Sequence, residues 1–394
     1  MTKFVCNKCG SECAKWMGKC QICNNWNSLE EIVVQLKNGK AAHVGEKLKY
    51  KSLQQLEKVE LDVRIQTGYR EFDRVLGGGI VPGAAILLSG DPGIGKSTLL
   101  LQSVLLIAAQ GKRVLYVSGE ESENQIALRA KRIAVSGLVL DNVMILSAND
   151  VDNIIATSEE INPDLLVIDS IQTVESSSVS GVSGGVAQVK ECTTLISRYA
   201  KSHKISVIIV GHVTKEGNIA GPKILEHLVD AVLYLEGDSF KEFRILRSVK
   251  NRYGAQGEIG VFQMNEKGLK EVLNPSELFI NPLTAASSGV CLVSVVEGSR
   301  PIVLEVQALT SATYPGNARR VGSGVDYSRL QLLTAVIGKC LGYKLQDFDI
   351  YANVVCGLKI NDPSIDLGIC AAIVSSFKNK VIGQSCVFIG EVGL

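Results

Sequence analysis

Apolar residues fall into short unbroken runs separated by longer amphipathic stretches, most sharply between residues 84 and 211. AAILLSG (84–90), RVLYVS (113–118), DLLVID (164–169) and SVIIVG (206–211) read as strands buried on both faces, being short, continuous and rich in β-branched residues. Segments 122–134, 150–160 and 187–203 space their apolar positions as a helix does and predict the covering layers. The longest apolar run, LLLQSVLLIAA at 99–109, is broken by Gln102 and Ser103 and is shorter than the ~18 residues of a membrane span. Strand and helix in alternation predict an α/β fold with a mainly parallel sheet. A second pattern follows residue 285. There GVCLVSVVEG and PIVLEVQALT predict paired strands, YSRLQLLTAVIGKCLG an amphipathic helix, and NDPSIDLGICAAIVSS a turn into another helix.

Composition narrows the class. At 394 residues there is room for two or three domains. A 46% hydrophobic share with 21% charged excludes a disordered chain. The formal net charge is +1, so any nucleic-acid contact must come from local basic patches rather than a whole-chain field. MTKFVCNKCG at the start places Lys and Cys where a signal peptide would be apolar, which predicts a cytoplasmic protein.

Five of the 11 cysteines lie within the first 23 residues. Cys6-x-x-Cys9 and Cys20-x-x-Cys23 are two knuckles whose four thiolates suit tetrahedral Zn²⁺ in a closed structural site. Cys13 fits neither knuckle. Such a site folds a small module but does not say which partner it serves. The other six cysteines sit in apolar surroundings and read as small core residues. Residues 36–60 are polar and Lys-rich, a solvated tether in preference to a DNA-contacting arm.

The chemistry is most specific after the strand at 84–90. Gly90-Asp91-Pro92-Gly93-Ile94-Gly95-Lys96-Ser97-Thr98 is a full G-x-x-x-x-G-K-[ST] loop between strand and helix. Its backbone N–H groups can curl round the phosphates of ATP, Lys96 can reach the β- and γ-phosphates, and Ser97 can ligate Mg²⁺. Asp169 ends its strand in the Walker B manner and is the second Mg²⁺ candidate. Glu120 follows RVLYVS and can orient the attacking water, with Glu121 in reserve. His212, Thr214 and Lys215 stand where a γ-phosphate sensor could lie. The Ser/Gly-rich stretches 175–185 and 216–223 read as flexible loops on that side of the sheet.

TGYREFDRVLGGGIVPG before the loop, GEES after the second strand and VIDS resemble the RecA/KaiC group of P-loop ATPases. With the Cys pairs and Lys250-Asn251-Arg252-Tyr253-Gly254, the chain resembles the bacterial RadA (Sms) family of DNA repair ATPases along essentially its whole length. Tyr253 stands where that family usually has Phe. The resemblance implies a homo-hexameric ring that binds single-stranded and branched DNA, hydrolyses ATP and drives branch migration alongside a recombinase such as RecA. It also implies that Lys250 and Arg252 reach a neighbour's γ-phosphate, rather than passively touching DNA phosphate.

The region after 285 resembles the proteolytic domain of Lon, with Asp366 at the place of the Ser nucleophile in Pro363-Ser364-Ile365-Asp366-Leu367-Gly368. A carboxylate cannot run Ser–Lys acylation, so a non-proteolytic role is expected. Ser364 reads as a helix N-cap. Comparison with the family suggests that the last part of this domain is missing. The expected organisation is a zinc finger at 1–35, a linker at 36–60, a RecA-like ATPase domain at 61–275 and a Lon-like α+β domain at 285–394. Rival readings are an ATP-dependent protease and a KaiC-like ATP-driven switch.

Overall fold

The computed structural model describes residues 2–6, 11–13, 16–23, 25–26, 29–33, 52, 63–133, 141–212, 222–237, 242–280, 284, 287–313, 317–355, 360, 362–383 and 385–394. The chain divides into two compact units, Met1–Leu61 and Asp62–Leu394. The linker at 36–60, residue 52 aside, lies outside the described residues.

In the smaller unit, β1 (Thr2–Cys6) pairs antiparallel with β2 (Glu12–Cys13) on one side and β3 (Leu29–Val33) on the other. A bridge between Lys19 and Trp26 closes a tight turn over Gln21-Ile22-Cys23.

The larger unit begins with α1 (Arg70–Leu76), then β4 (Ala85–Gly90) and α2 (Lys96–Ala109). Next come β5 (Val114–Ser118), α3 (Glu123–Ile133), β6 (Val143–Ser147) and α4 (Val151–Ile161). β7 (Leu165–Asp169), α5 (Val186–His203), β8 (Ser206–His212) and β9 (Ala231–Glu236) follow. β10 (Phe243–Asn251), β11 (Ile259–Asn265) and β12 (Gly268–Glu271) complete one sheet of order β12-β11-β10-β9-β4-β8-β7-β5-β6. β9 through β6 run parallel, and β10–β12 extend the sheet as an antiparallel wing.

The double burial expected of the strands is realised by alternation. Ile86, Leu88, Tyr116, Val167 and Ile208 face α2 and α3, while Leu87, Leu115, Leu166, Ile168 and Ile209 form a separate core with α4 and α5. Each such aliphatic side chain contributes about 1.5–3 kcal/mol by leaving water. Helix α2 is apolar on nearly every side because neighbours surround it. Its two polar interruptions have work in the fold: Gln102 grips the Leu269 backbone (2.8 and 3.3 Å), and the Ser103 hydroxyl donates to the Leu99 carbonyl at 2.9 Å.

A five-stranded sheet follows, built from β13 (Val290–Glu297), β14 (Arg300–Ala312), β15 (Arg320–Ser323), β16 (Phe348–Val354) and β17 (Val387–Phe388) in the order β15-β16-β14-β13-β17. α6 (Tyr327–Leu341) and α7 (Asp366–Lys378) pack on it through Leu330, Leu333, Ile369 and Ile373. Gly368 permits this approach, since a Cβ there would lie 2.0 Å from Val293 Cγ1. The turn joining β13 to β14 docks on the antiparallel wing and on α1: Glu297 pairs with Arg247 at 2.7 Å, the Ser299 N–H donates to Glu258 at 2.8 Å, and Arg300 pairs with buried Glu71 of α1 at 2.6 Å.

Three expectations change. Ser364 is not a cap: it lies inside a 3₁₀ turn, Pro363–Ile365, that Asp362 caps by accepting the Ser364 N–H at 2.8 Å. Of the scattered cysteines, Cys192 and Cys291 are core residues and Cys370 packs against the core, but Cys340 and Cys386 are exposed; Cys356 lies outside the described residues. The 175–185 stretch is tied down rather than free. The Gln188 amide holds the Ser176 N–H (2.8 Å) and the Ser176 and Val179 carbonyls (3.1 and 2.6 Å), while the Ser183 hydroxyl donates to Gln172 O (3.1 Å).

Candidate nucleotide site

The loop at 90–98 turns the chain from the end of β4 into α2. Gly90 adopts φ +151°, and a Cβ there would lie 2.4 Å from Leu235 O on the neighbouring strand. Gly95 caps α2 at φ +115° without a side-chain cap. Both positions therefore demand glycine, and the helix presents free first-turn N–H groups to an anion. The Lys96 ammonium is buried and donates to the Gly90 and Asp91 carbonyls, each at 2.9 Å. Burial lowers its pKa, and Asp169, Asp91 and Glu120 oppose that shift. Ser97 is the second residue of the helix and is half-buried.

Asp169 ends β7 beside Ser118, the last residue of β5. Its Oδ2 accepts the Tyr116 hydroxyl at 2.5 Å. Glu120 follows β5, and its carboxylate accepts the Ser170 hydroxyl at 2.9 Å. Glu121 is instead held by the two terminal nitrogens of Arg129, at 2.8 and 3.1 Å. His212 ends β8 with Nε2 at 3.9 Å from Glu120 Oε1. Burial lowers its pKa, as does the Lys96 charge, against the pull of Glu120 and Asp169. Lys96, Glu120, Asp169 and His212 thus share one site at the carboxyl ends of four parallel strands, where open α/β sheets bind ligands. Thr214 and Lys215 lie outside the described residues.

Lys250 and Arg252 are not brought to this site within the chain. Gly90 lies beside Leu235, whereas Lys250 pairs with Val232, which lies beside Leu87. That register puts Lys250 about 10 Å down the strands and two strands across, roughly another 10 Å. Its ammonium donates to the Glu226 and Val229 carbonyls (2.5 and 2.9 Å) at the opposite end of the sheet. Arg252 pairs with buried Asp230 at 2.9 Å, a carboxylate that Lys201 also meets at 3.2 Å.

Sequence reasoning missed Tyr116, Ser170 and Gln172. Ser170 was within reach as the residue directly after Asp169. Gln172 follows in a 3₁₀ turn and donates to the His212 carbonyl at 3.4 Å; its own Oε1 is buried without a partner among the described residues. Nothing in the sequence marks it.

In the smaller unit, Cys20 is buried. The Cys23 N–H, the Ser11 hydroxyl and the Ile22 N–H pull its thiol down to about 6, which suits a thiolate ligand. Cys9 and the side chain of Cys6 lie outside the described residues.

Residues 4–31 match the family model for a rubredoxin metal binding domain, and residues 52–218 match an AAA domain. DNA repair protein RadA of Listeria monocytogenes is 47% identical over 395 residues, spanning 100% of this chain and 86% of its own. The RadA proteins of Halalkalibacterium halodurans and Bacillus subtilis are 48% and 46% identical, with the same coverage. The chain belongs to the RadA family of DNA repair proteins. It carries that family's P-loop ATPase domain behind an N-terminal zinc ribbon, with a further α/β region after it. A crystal structure of the RadB recombinase overlaps 53% of this chain and 99% of its own, at 25% identity and a TM-score of 0.42. Among the described residues, no helix of this RadA-family chain is long and apolar enough to cross a membrane.

Proposed function

We propose that the chain is a DNA-dependent ATPase of homologous recombination and repair, working in the cytoplasm as a homo-hexameric ring. It moves branches on single-stranded and branched DNA alongside a recombinase such as RecA. The backbone of residues 90–98 holds the ATP phosphates, with Lys96 on the β- and γ-phosphates and Ser97 and Asp169 on Mg²⁺. Bound Mg²⁺ would offset charge on the transferring phosphoryl group. Glu120, rather than Glu121, orients the attacking water, because Arg129 already holds Glu121. Cys6, Cys9, Cys20 and Cys23 hold Zn²⁺, in a module spanning 1–35 that precedes a linker at 36–60, the ATPase domain at 61–275 and a C-terminal domain at 285–394.

The observation that carries this reading is the separation of the two basic groups. Lys96 sits among the carboxylates at one end of the sheet, while Lys250 and Arg252 stand at the other. In a ring with nucleotide between subunits, Lys250 and Arg252 act on the neighbour's γ-phosphate and complete the site in trans. Asp366 supports a non-proteolytic C-terminal domain: it is buried, bound by Arg329 through two nitrogens and capped by the Val392 N–H at 3.1 Å.

The test is ATP hydrolysis with and without single-stranded DNA, using Lys96→Ala as the blank. Stimulation by DNA that weakens steeply with salt is expected, because phosphate contacts release counterions. Hydrolysis indifferent to DNA in a verified ring would refute the DNA-dependent reading.

A further inference from the structure

Tyr116 lies in the middle of β5 with no exposed surface, on the face that packs against α2 and α3. Its neighbour on β7 is Val167, and Ser118 is the residue that pairs with Asp169. The carboxylate therefore lies two residues further along the same face, about 7 Å away. A tyrosine side chain spans that offset, and the phenol donates to Asp169 Oδ2. Among the described residues, no other donor meets the Asp169 carboxylate.

We propose that Tyr116 is a positioning residue for the metal-binding carboxylate: by occupying Oδ2 it fixes the rotation of Asp169 and leaves Oδ1 for the cation. This rests on the reading of Asp169 as a Mg²⁺ carboxylate. An apolar residue at 116 would pack equally well in the strand but would leave a carboxylate oxygen without its donor.

The test is binding of a fluorescent ADP analogue to the full chain, in excess EDTA and across a Mg²⁺ titration. Asp169→Asn is the reference, and circular dichroism checks folding. Tyr116→Phe is expected to bind in EDTA like the wild type. The Mg²⁺ concentration giving half of the metal-dependent tightening should rise about tenfold, the scale of one hydrogen bond to a charged group. Tyr116→Met, also without a donor, serves if the phenylalanine variant does not fold. An unchanged Mg²⁺ titration in Tyr116→Phe, with the tightening lost in Asp169→Asn, would overturn the role of Tyr116 and leave that of Asp169 standing. Equal weakening with and without Mg²⁺ would make Tyr116 a packing residue and also overturn the proposal. Full Mg²⁺ tightening in Asp169→Asn would remove the Asp169 reading, and the proposal with it.

Discussion

The Glu120 carboxylate accepts the Ser170 hydroxyl at 2.9 Å, across the gap between the ends of two neighbouring strands. Its sequence neighbour Glu121 is instead bound by two nitrogens of Arg129. The two adjacent acids should therefore fail differently. Glu120→Gln is expected to lower ATP turnover about 10²–10⁴-fold, the range for a lost acid–base group, with nucleotide affinity kept. Glu121→Gln is expected to act mainly on stability by freeing Arg129. Single-turnover hydrolysis and equilibrium nucleotide binding on both variants check this.

His212 gives a pH dependence of definite sign. Burial, with the Lys96 charge beside it, lowers its folded-state pKa, so the unfolded chain takes up the proton first as pH falls. Its contribution to stability is complete above about 6.5, the unfolded value, and is lost as pH falls through the lowered folded value. His212→Gln should therefore lose less thermal stability than the wild type between neutral and mildly acidic pH. Paired melting curves across that window measure the difference.

In the C-terminal region, Asp366 is 1% exposed and depends on Arg329. Removing the guanidinium leaves the buried Asp366 carboxylate without its cation, so Arg329→Ala is expected to cost about 3 kcal/mol. Arg329→Met combined with Asp366→Leu should recover most of that loss. Denaturant unfolding of the two variants beside the wild type distinguishes the outcomes.

The parallel strands and their covering helices were legible because both faces of each strand are buried, which leaves a continuous apolar run. The antiparallel wing was not. Strand β10 buries the polar residues Arg244, Ser248 and Asn251 and exposes Val249, so its apolar positions do not mark its buried face. The nucleotide loop was legible because glycine and lysine spacing carries its own geometry. Tyr116 was hidden because it reads as one more apolar strand residue; its hydrogen bond depends on the β5–β7 register, which no local pattern encodes. Ser364 departs from the expected N-cap because Asp362, two residues earlier, takes that place and accepts the Ser364 N–H.

The zinc module has a separate consequence. Cys20→Ser should lose bound zinc, measured by metal analysis of the full chain, because it removes one of the four thiolates that the two Cys-x-x-Cys knuckles offer a tetrahedral ion. ATP hydrolysis measured without DNA is expected to persist in this variant. Retained zinc would exclude Cys20 from the ligand set.

The most direct test of a site completed in trans mixes two inactive variants. Lys96→Ala lacks the loop ammonium and Arg252→Ala lacks the residue standing at the far end of the sheet. Each alone is expected to hydrolyse ATP at background. Mixed equally, they should regain about a quarter of wild-type turnover, since random assembly sets an intact loop against an intact arginine at about one interface in four. Full activity of Arg252→Ala alone, or no recovery in rings verified to be mixed, would contradict a shared site.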